Sequence, residues 1–293
     1  MDKLHTITGQ TRIVGVIGAP VSHSRSPQMH NAALTKAGLD YIYVPFHVSE
    51  DAVAEAMKGF KALNVVGINV TLPHKQAVIP FLTSISREAE LIGAVNTLSF
   101  VDGEIHGENT DAPGFLRALE ETGASVPVGE DVVVLGAGGS ARAIVVALAL
   151  AGVRSVVIAN RTGSKAVGLA EELSEKISEQ EEESEHKTIL KGMGLQDSQL
   201  PDAVKGSALL VNTATSSMDT THPLLIQPDW LQPSTIVYDI VYTPPMTTLL
   251  TTAAEKGCKI VGGIGMLVHQ GAIAFERWTG VEPCVNTMRE ALS

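Results

Sequence analysis

Apolar positions along this chain fall in short β-branched runs, separated by stretches with helical spacing. In the first hundred residues, Arg12 to Gly18, Tyr41 to Val48 and Val65 to Val70 predict strands with helices between them. That alternation predicts βαβ units and a mainly parallel sheet. Ser26-Pro27 marks the start of the first helix, since serine can cap free amides and proline suits the first turn; Gly38 marks its end. Ser49 is placed as the cap of the next helix. Asn96 to Asn109 reads as a hairpin turning at Asp102-Gly103, and Thr110 to Gly123 as an amphipathic helix leading onward.

A second alternating series follows, with candidate strands at Val132 to Leu135, Ser155 to Ala159, Ala208 to Val211, Ile236 to Ile240 and Lys259 to Val261. The pattern predicts an α/β protein of two domains. Residues 1–112 form a mainly parallel α/β domain and residues 113–264 a doubly wound one, with the active site in the cleft between them. From Gly265 onward two helices and no strand are expected, and these helices are placed back on the first domain. A length of 293 residues suits two cores rather than one.

Composition narrows the function classes. Apolar residues make up 44% and charged residues 18%, so the chain is expected to be globular. A net charge of −11 and the lack of a basic run argue against a nucleic-acid partner. The longest apolar stretch, Ala143 to Gly152, is well short of the roughly 18 residues that span a bilayer. Met1 to Thr11 is polar and mixed, which predicts neither a signal nor a transit peptide. A cytoplasmic enzyme acting on a small molecule, as monomer or homodimer, is the expectation. Cys258 and Cys284 lack any metal or redox spacing and the histidines are scattered, so no metal is expected. The acidic stretch Glu179 to Lys187 reads as a solvated helix end or loop.

One motif carries specific chemistry. The strand-like Val132 to Leu135 runs into Gly136, Ala137, Gly138, Gly139, Ser140 and Ala141, followed by a long apolar helix. Gly136 suits the tight turn, Gly138 lets backbone approach a pyrophosphate, and Ala141 allows close helix–strand packing. Where an acid would bind the ribose 2′-hydroxyl of NAD, the next strand ends instead in Asn160-Arg161-Thr162. A guanidinium pairs with a 2′-phosphate, and Thr162 and Lys165 complete the pocket, so the predicted cofactor is NADP. The plainer alternatives are that Arg161 is a surface residue and that Thr162 caps the following helix.

Polar clusters also stand where strands of the first domain end: His23 to Pro27, Asn69 to Lys75, Ala94 to Thr97, and Asn109 to Asp111. At this point the chain resembles the shikimate dehydrogenase family from Ile13 nearly to its end. The matching elements are VIGAPVSHSRSPQMHNAAL, GINVTLPHK, GAVNTL, GENTDAPGF, VLGAGGSARA, NRT, YDIVYTPPMTTLL and GGIGMLVHQGAIAFERWTG. The resemblance implies a substrate domain followed by an NADP-binding Rossmann domain. It also implies NADPH-dependent, reversible reduction of 3-dehydroshikimate to shikimate, on the way to aromatic amino acids.

Carried over residue by residue, the resemblance makes Lys75 and Asp111 the catalytic pair. Ser24 and Ser26 would bind the substrate carboxylate, and Thr71, Asn96, Tyr242 and Gln270 the ring hydroxyls or carboxylate. Thr215 and Gly263 would join the cofactor contacts. Exchange of hydride at a secondary alcohol needs a partner for the proton, which a positioned lysine can be. Taken singly, each residue has a simpler role. Asp111 or Ser26 could cap a helix, Lys75 could be a solvated lysine, Asn96 a turn residue and Gln270 a helix-surface amide. Ser217 departs from the family, which has glycine just before the methionine. A quinate/shikimate dehydrogenase using NAD is the nearest rival; a non-catalytic protein that senses shikimate or NADP is the alternative of another class.

Overall fold

Residues 14 to 18 of the first predicted strand are all buried, and a strand covered in this way belongs inside a sheet. The computed structural model, which describes residues 7–179, 187–214 and 224–293, places it there. Strand β1 (Arg12–Gly18) pairs in parallel with β2 (Tyr41–His47) and with β3 (Gly67–Val70). Helices α1 (Ser26–Ala37) and α2 (Val53–Ala62) make the connections. The short β4 (Ser84–Ile85) and α3 (Arg87–Ile92) follow, then the hairpin of β5 (Thr97–Val101) and β6 (Glu104–Glu108). Asp102 and Gly103 both have positive φ, as a tight hairpin turn requires. The sheet order is β2-β1-β3-β5-β6-β4, with β5 antiparallel to both neighbours and the other pairs parallel. Its core joins Ile17, Met57, Phe60, Ile68, Val78 and Leu98.

Helix α4 (Asp111–Glu121) leads to a second six-stranded sheet of β7 (Asp131–Leu135), β8 (Ser155–Asn160), β9 (Ile189–Gly194), β10 (Leu209–Asn212), β11 (Ile236–Asp239) and β12 (Lys259–Gly262). All pairs are parallel in the order β12-β11-β10-β7-β8-β9. Helices α5 (Gly139–Leu150), α6 (Gly163–Ser178), α7 (Leu200–Lys205) and α8 (Thr248–Glu255) lie between these strands in sequence, before α9 (Ile264–Thr279) and α10 (Val285–Glu290). Strand order reverses course across the sheet between β7 and β10, the switch point at which doubly wound sheets bind ligands. By compactness the chain forms two units, Met1–Gly114 with Leu267–Ser293, and Phe115–Met266.

Some local expectations need correction. Helix α1 does begin at Ser26 and end at Gly38, whose φ of 66° is left-handed. Its N-cap is Arg25, however, and Ser26 caps nothing; the amide of Ser26 donates to Ser24 Oγ at 3.3 Å. Ser49 opens a single 3₁₀ turn, with its hydroxyl on the Asp51 carboxylate rather than on a free amide, and α2 starts at Val53. Strands β4 and β9 are not predicted by the apolar pattern. Two residues are too few to show a period, and β9 is an edge strand interrupted by Lys191 and Gly192, with Ile189 65% exposed. No helix among the described residues is long and apolar enough to cross a membrane.

Candidate active site

Lys75 stands in the turn that follows β3. The turn is anchored by buried His74, whose Nε2 donates to the Val48 carbonyl at 2.7 Å. The Lys75 carbonyl accepts from the Val95 amide at 2.7 Å. Its ammonium reaches Asp111 Oδ2 at 2.5 Å, with side chains only 14% and 7% exposed. A pair so enclosed is weakly screened by water.

Asp111 is the first residue of α4, where its carboxylate would ordinarily be drawn to the helix's own free amides. It is not the cap. Asn109 Oδ1 accepts from the amides of Asp111 at 3.0 Å and Ala112 at 3.4 Å. Asp111 Oδ1 therefore accepts from Asn96 Nδ2 at 2.8 Å while Oδ2 faces Lys75. Asn96 is itself locked. Its Nδ2 also donates to Thr110 Oγ1 at 3.0 Å, and its Oδ1 accepts from the Thr110 amide at 2.7 Å and Thr97 Oγ1 at 3.0 Å. Asn69 donates to Thr97 Oγ1 and to the Asn96 carbonyl, and the Tyr43 hydroxyl donates to Asn69 Oδ1 at 2.7 Å. The result is one buried polar network running from β2 through β3 and β5 to the start of α4.

The other expected residues of this unit lie at strand and helix ends. Thr71 directly follows β3, its methyl against Gly18 at the end of β1. Ser24 and Ser26 share the bond already described before α1. Gln270 on α9 is 9% exposed, packs against Gly114 of α4, and donates to the Leu267 carbonyl at 2.8 Å.

In the second unit the glycine-rich turn connects β7 to α5 as expected. Gly136 has φ +111°, and a Cβ there would stand 2.3 Å from Thr213 Oγ1 after β10, so only glycine fits. Thr213 closes the turn through both its amide and its hydroxyl, which donate to the Leu135 carbonyl. Gly138 is exposed, and a Cβ added to it would meet no atom within 4 Å. The N-cap residue of α5, Gly138, has no side chain to set against the first amides of the helix, the end at which a helix attracts an anion. Ala137, Gly139 and Ser140 are part-exposed, and Ala141 is buried in the helix–strand contact.

Arg161, Thr162 and Lys165 are all exposed at the start of α6, just beyond the end of β8. Thr162 holds the N-cap position without a side-chain cap bond, and the Asn160 side-chain amide donates to the Thr162 carbonyl at 3.0 Å. Gly263 is enclosed for a packing reason, since a Cβ there would lie 2.1 Å from the Ile240 carbonyl oxygen. Thr215 and Ser217 lie outside the described residues, as does most of the acidic stretch; Glu179 caps the end of α6. Among the described residues no group of histidine, cysteine or acidic side chains is arranged to hold a metal ion.

Tyr242 follows β11, beside a buried anchor that the motifs of the chain do not single out. Asp239 is fully buried and accepts from Thr247 Oγ1 at 2.7 Å, Asn212 Nδ2 at 2.9 Å and the Val241 amide at 3.0 Å. Burial pushes its carboxyl above the usual range, against the lowering effect of these donors. The visible signal is an ionisable residue ending an apolar strand. Asn109 likewise stands inside a polar cluster of the sequence without an expected role.

Residues 16–98 match the model for a shikimate dehydrogenase substrate binding domain, 122–194 the model for shikimate / quinate 5-dehydrogenase, and 263–292 that for the shikimate 5′-dehydrogenase C-terminal domain. The shikimate dehydrogenase (NADP(+)) of Methanopyrus kandleri is 45% identical, over 98% of this chain and 97% of its own. A crystal structure of a shikimate dehydrogenase in complex with NADP+ superposes with a TM-score of 0.87 at 38% identity, covering 98% and 96% of the two chains. The Listeria monocytogenes shikimate 5-dehydrogenase, solved with shikimate and NAD, gives 0.86 at 39% identity and 98% of both.

Proposed function

The chain belongs to the NADP-dependent shikimate dehydrogenase family of oxidoreductases, and on that premise we propose that it interconverts 3-dehydroshikimate and shikimate, with Lys75 and Asp111 handling the proton. The observation that carries this reading is the enclosed Lys75–Asp111 contact, set in a network that leaves both carboxylate oxygens of Asp111 facing donors other than its own helix. NADPH, when bound, supplies the hydride. In the reducing direction the carbonyl oxygen gains negative charge, and the Lys75 ammonium gives it a proton; in the oxidising direction Lys75 takes that proton back. Asp111 holds Nζ in place.

Ser24 and Ser26 bind the substrate carboxylate in this reading, and Thr71, Gln270 and Tyr242 bind the remaining polar groups of the ring. Asn96 already directs its amide hydrogens to Asp111 and Thr110, so it serves the ring mainly by fixing Asp111. The residues present fit NADP. The first amides of α5 and the open face at Gly138 suit a pyrophosphate, and exposed Arg161, Thr162 and Lys165 suit a 2′-phosphate.

The test is an assay on the purified protein of NADP reduction driven by shikimate, with quinate and NAD in parallel. Turnover with shikimate and NADP well above the other three combinations is expected. Preference for quinate with NAD would replace this reading by the rival dehydrogenase, and no turnover with any combination would remove the enzymatic reading.

A further inference from the structure

Resting on the assignment of Lys75 and Asp111 to proton transfer, we infer that Asn109 is the positioning residue that makes the Asp111 carboxylate available to Lys75. Three consecutive residues, Ala94, Val95 and Asn96, form the hub of the site. The Ala94 carbonyl accepts from Asn109 Nδ2 at 2.9 Å, the Val95 amide donates to the Lys75 carbonyl at 2.7 Å, and the Asn96 side chain donates to Asp111 at 2.8 Å. Asn109 is 4% exposed and is tied to both sides of this arrangement. Its Oδ1 takes the amides of Asp111 and Ala112, and its Nδ2 holds the hub.

Both ends of the amide are needed. Without the acceptor end, the amides of Asp111 and Ala112 lose their partner, and an Asp111 carboxylate that turns to them comes off Lys75. Without the donor end, the Ala94 carbonyl is left buried and unpaired, and the segment that carries Asn96 and braces Lys75 loses its link to α4. Serine supplies the first function, being a good cap, but is too short and lacks the second donor. Aspartate has the outline of asparagine and caps as well, yet faces the Ala94 carbonyl with lone pairs. A helix cap alone explains two of the three bonds described for this side chain and leaves the one to Ala94 unexplained.

The experiment is a double-mutant cycle on the full chain between Asn109→Ser and Asp111→Asn. It reads turnover number, the Michaelis constant for shikimate, NADP affinity and melting temperature. Asn109→Ser is expected to lower turnover about tenfold or more at a temperature where the protein is folded, with NADP affinity unchanged within about twofold. In the Asp111→Asn background the same substitution is expected to leave turnover where it was, because its effect passes through the contact between Lys75 and the Asp111 carboxylate, which that background has already removed. If Asn109→Ser does not fold, Asn109→Asp carries the test with the same expected loss. Wild-type turnover in Asn109→Ser with only a lower melting temperature would show a structural cap and overturn the inference, as would additive losses in the cycle. Normal turnover in Asp111→Asn alone, or no shikimate-dependent NADP reduction by the unmodified chain, would instead bring down the functional reading and this inference with it.

Discussion

Around Lys75 and Asp111 the polar groups are set by other side chains, from Asn96 and Asn109 to Thr97, Asn69 and Tyr43, whereas at Gly136 and Gly138 the shaping is done by backbone, a positive φ at the first and the absence of a side chain at both. The first region depends on which atoms donate and accept, so an isosteric change can disable it while leaving its outline intact. The second depends on room and amide direction, so what matters there is the size of an added group.

The largest effect expected falls on the side-chain region. Lys75→Met should lower turnover by about 10²–10⁴-fold, the usual contribution of a positioned acid/base group, with NADP affinity barely changed. Near-normal turnover in a folded, NADP-binding variant would assign the proton to another group. In the second unit, Arg161→Asp tests a place where a side chain is asked to specify the cofactor. Losing a charge-assisted contact costs roughly 1.5–3 kcal/mol, so NADP affinity should fall about ten- to a hundredfold while NAD binding is spared. Equal use of NADP and NAD by the unmodified protein would break the assignment.

Two glycines of the turn, Gly136 and Gly138, sharpen the comparison within a few residues. Gly136→Ala forces a side chain into the +111° φ region and against Thr213, and should cost about 1–3 kcal/mol of stability as well as NADP affinity. Gly138→Ala meets no protein atom within 4 Å and keeps an extended backbone, so its melting temperature should stay close to wild type. Weaker NADP binding in that variant reports the approach of the pyrophosphate alone; unchanged binding would show that the cofactor does not pass there.

An effect that is nil at neutral pH and appears only on acidification tests an exception in the first unit. His30 is fully buried, stacks on Tyr43 at 4.2 Å between ring centroids, and has no hydrogen-bond partner on either ring nitrogen among the described residues. Burial lowers its pKa from 6.5 to about 3. Between those values the unfolded chain binds a proton that the folded one refuses, so stability contributed by neutral His30 is complete above pH 6.5 and falls as the pH drops toward 3. The slope is at most about 1.4 kcal/mol per pH unit. His30→Leu should flatten that part of the curve of stability against pH, as measured by denaturant unfolding; an unchanged slope would mean that the proton is taken up elsewhere.

Where periodicity and punctuation carry the signal, the fold can be read from the chain. The buried run of β1, the turn at Asp102-Gly103 and the strand–glycine–helix of β7 and α5 all state their structure locally. Strand β9 does not, because at a sheet edge its pairing partner supplies the order that its own Lys191 and Gly192 obscure. The same limit applies to the site. Lys75 and Asp111 are visible as chemistry, but a cap two residues before Asp111 cannot be told from Asp111 itself when both residue types cap well. Ser26 shows the converse: a favourable residue next to proline marks the right boundary for the wrong reason.

The indole of Trp278 covers Gly67 so closely that a Cβ there would stand 2.0 Å from Nε1, and that nitrogen donates to the Leu98 carbonyl at 3.0 Å. The first unit therefore lacks part of its interior until α9 is in place. During synthesis, every residue of the second unit leaves the ribosome before Leu267–Ser293 does. The nascent first sheet must wait, with the face at β3 and β5 uncovered, while its younger neighbour already has all of its own chain. Order of manufacture and order of completion are thus reversed, and the earliest residues made are among the last to find shelter.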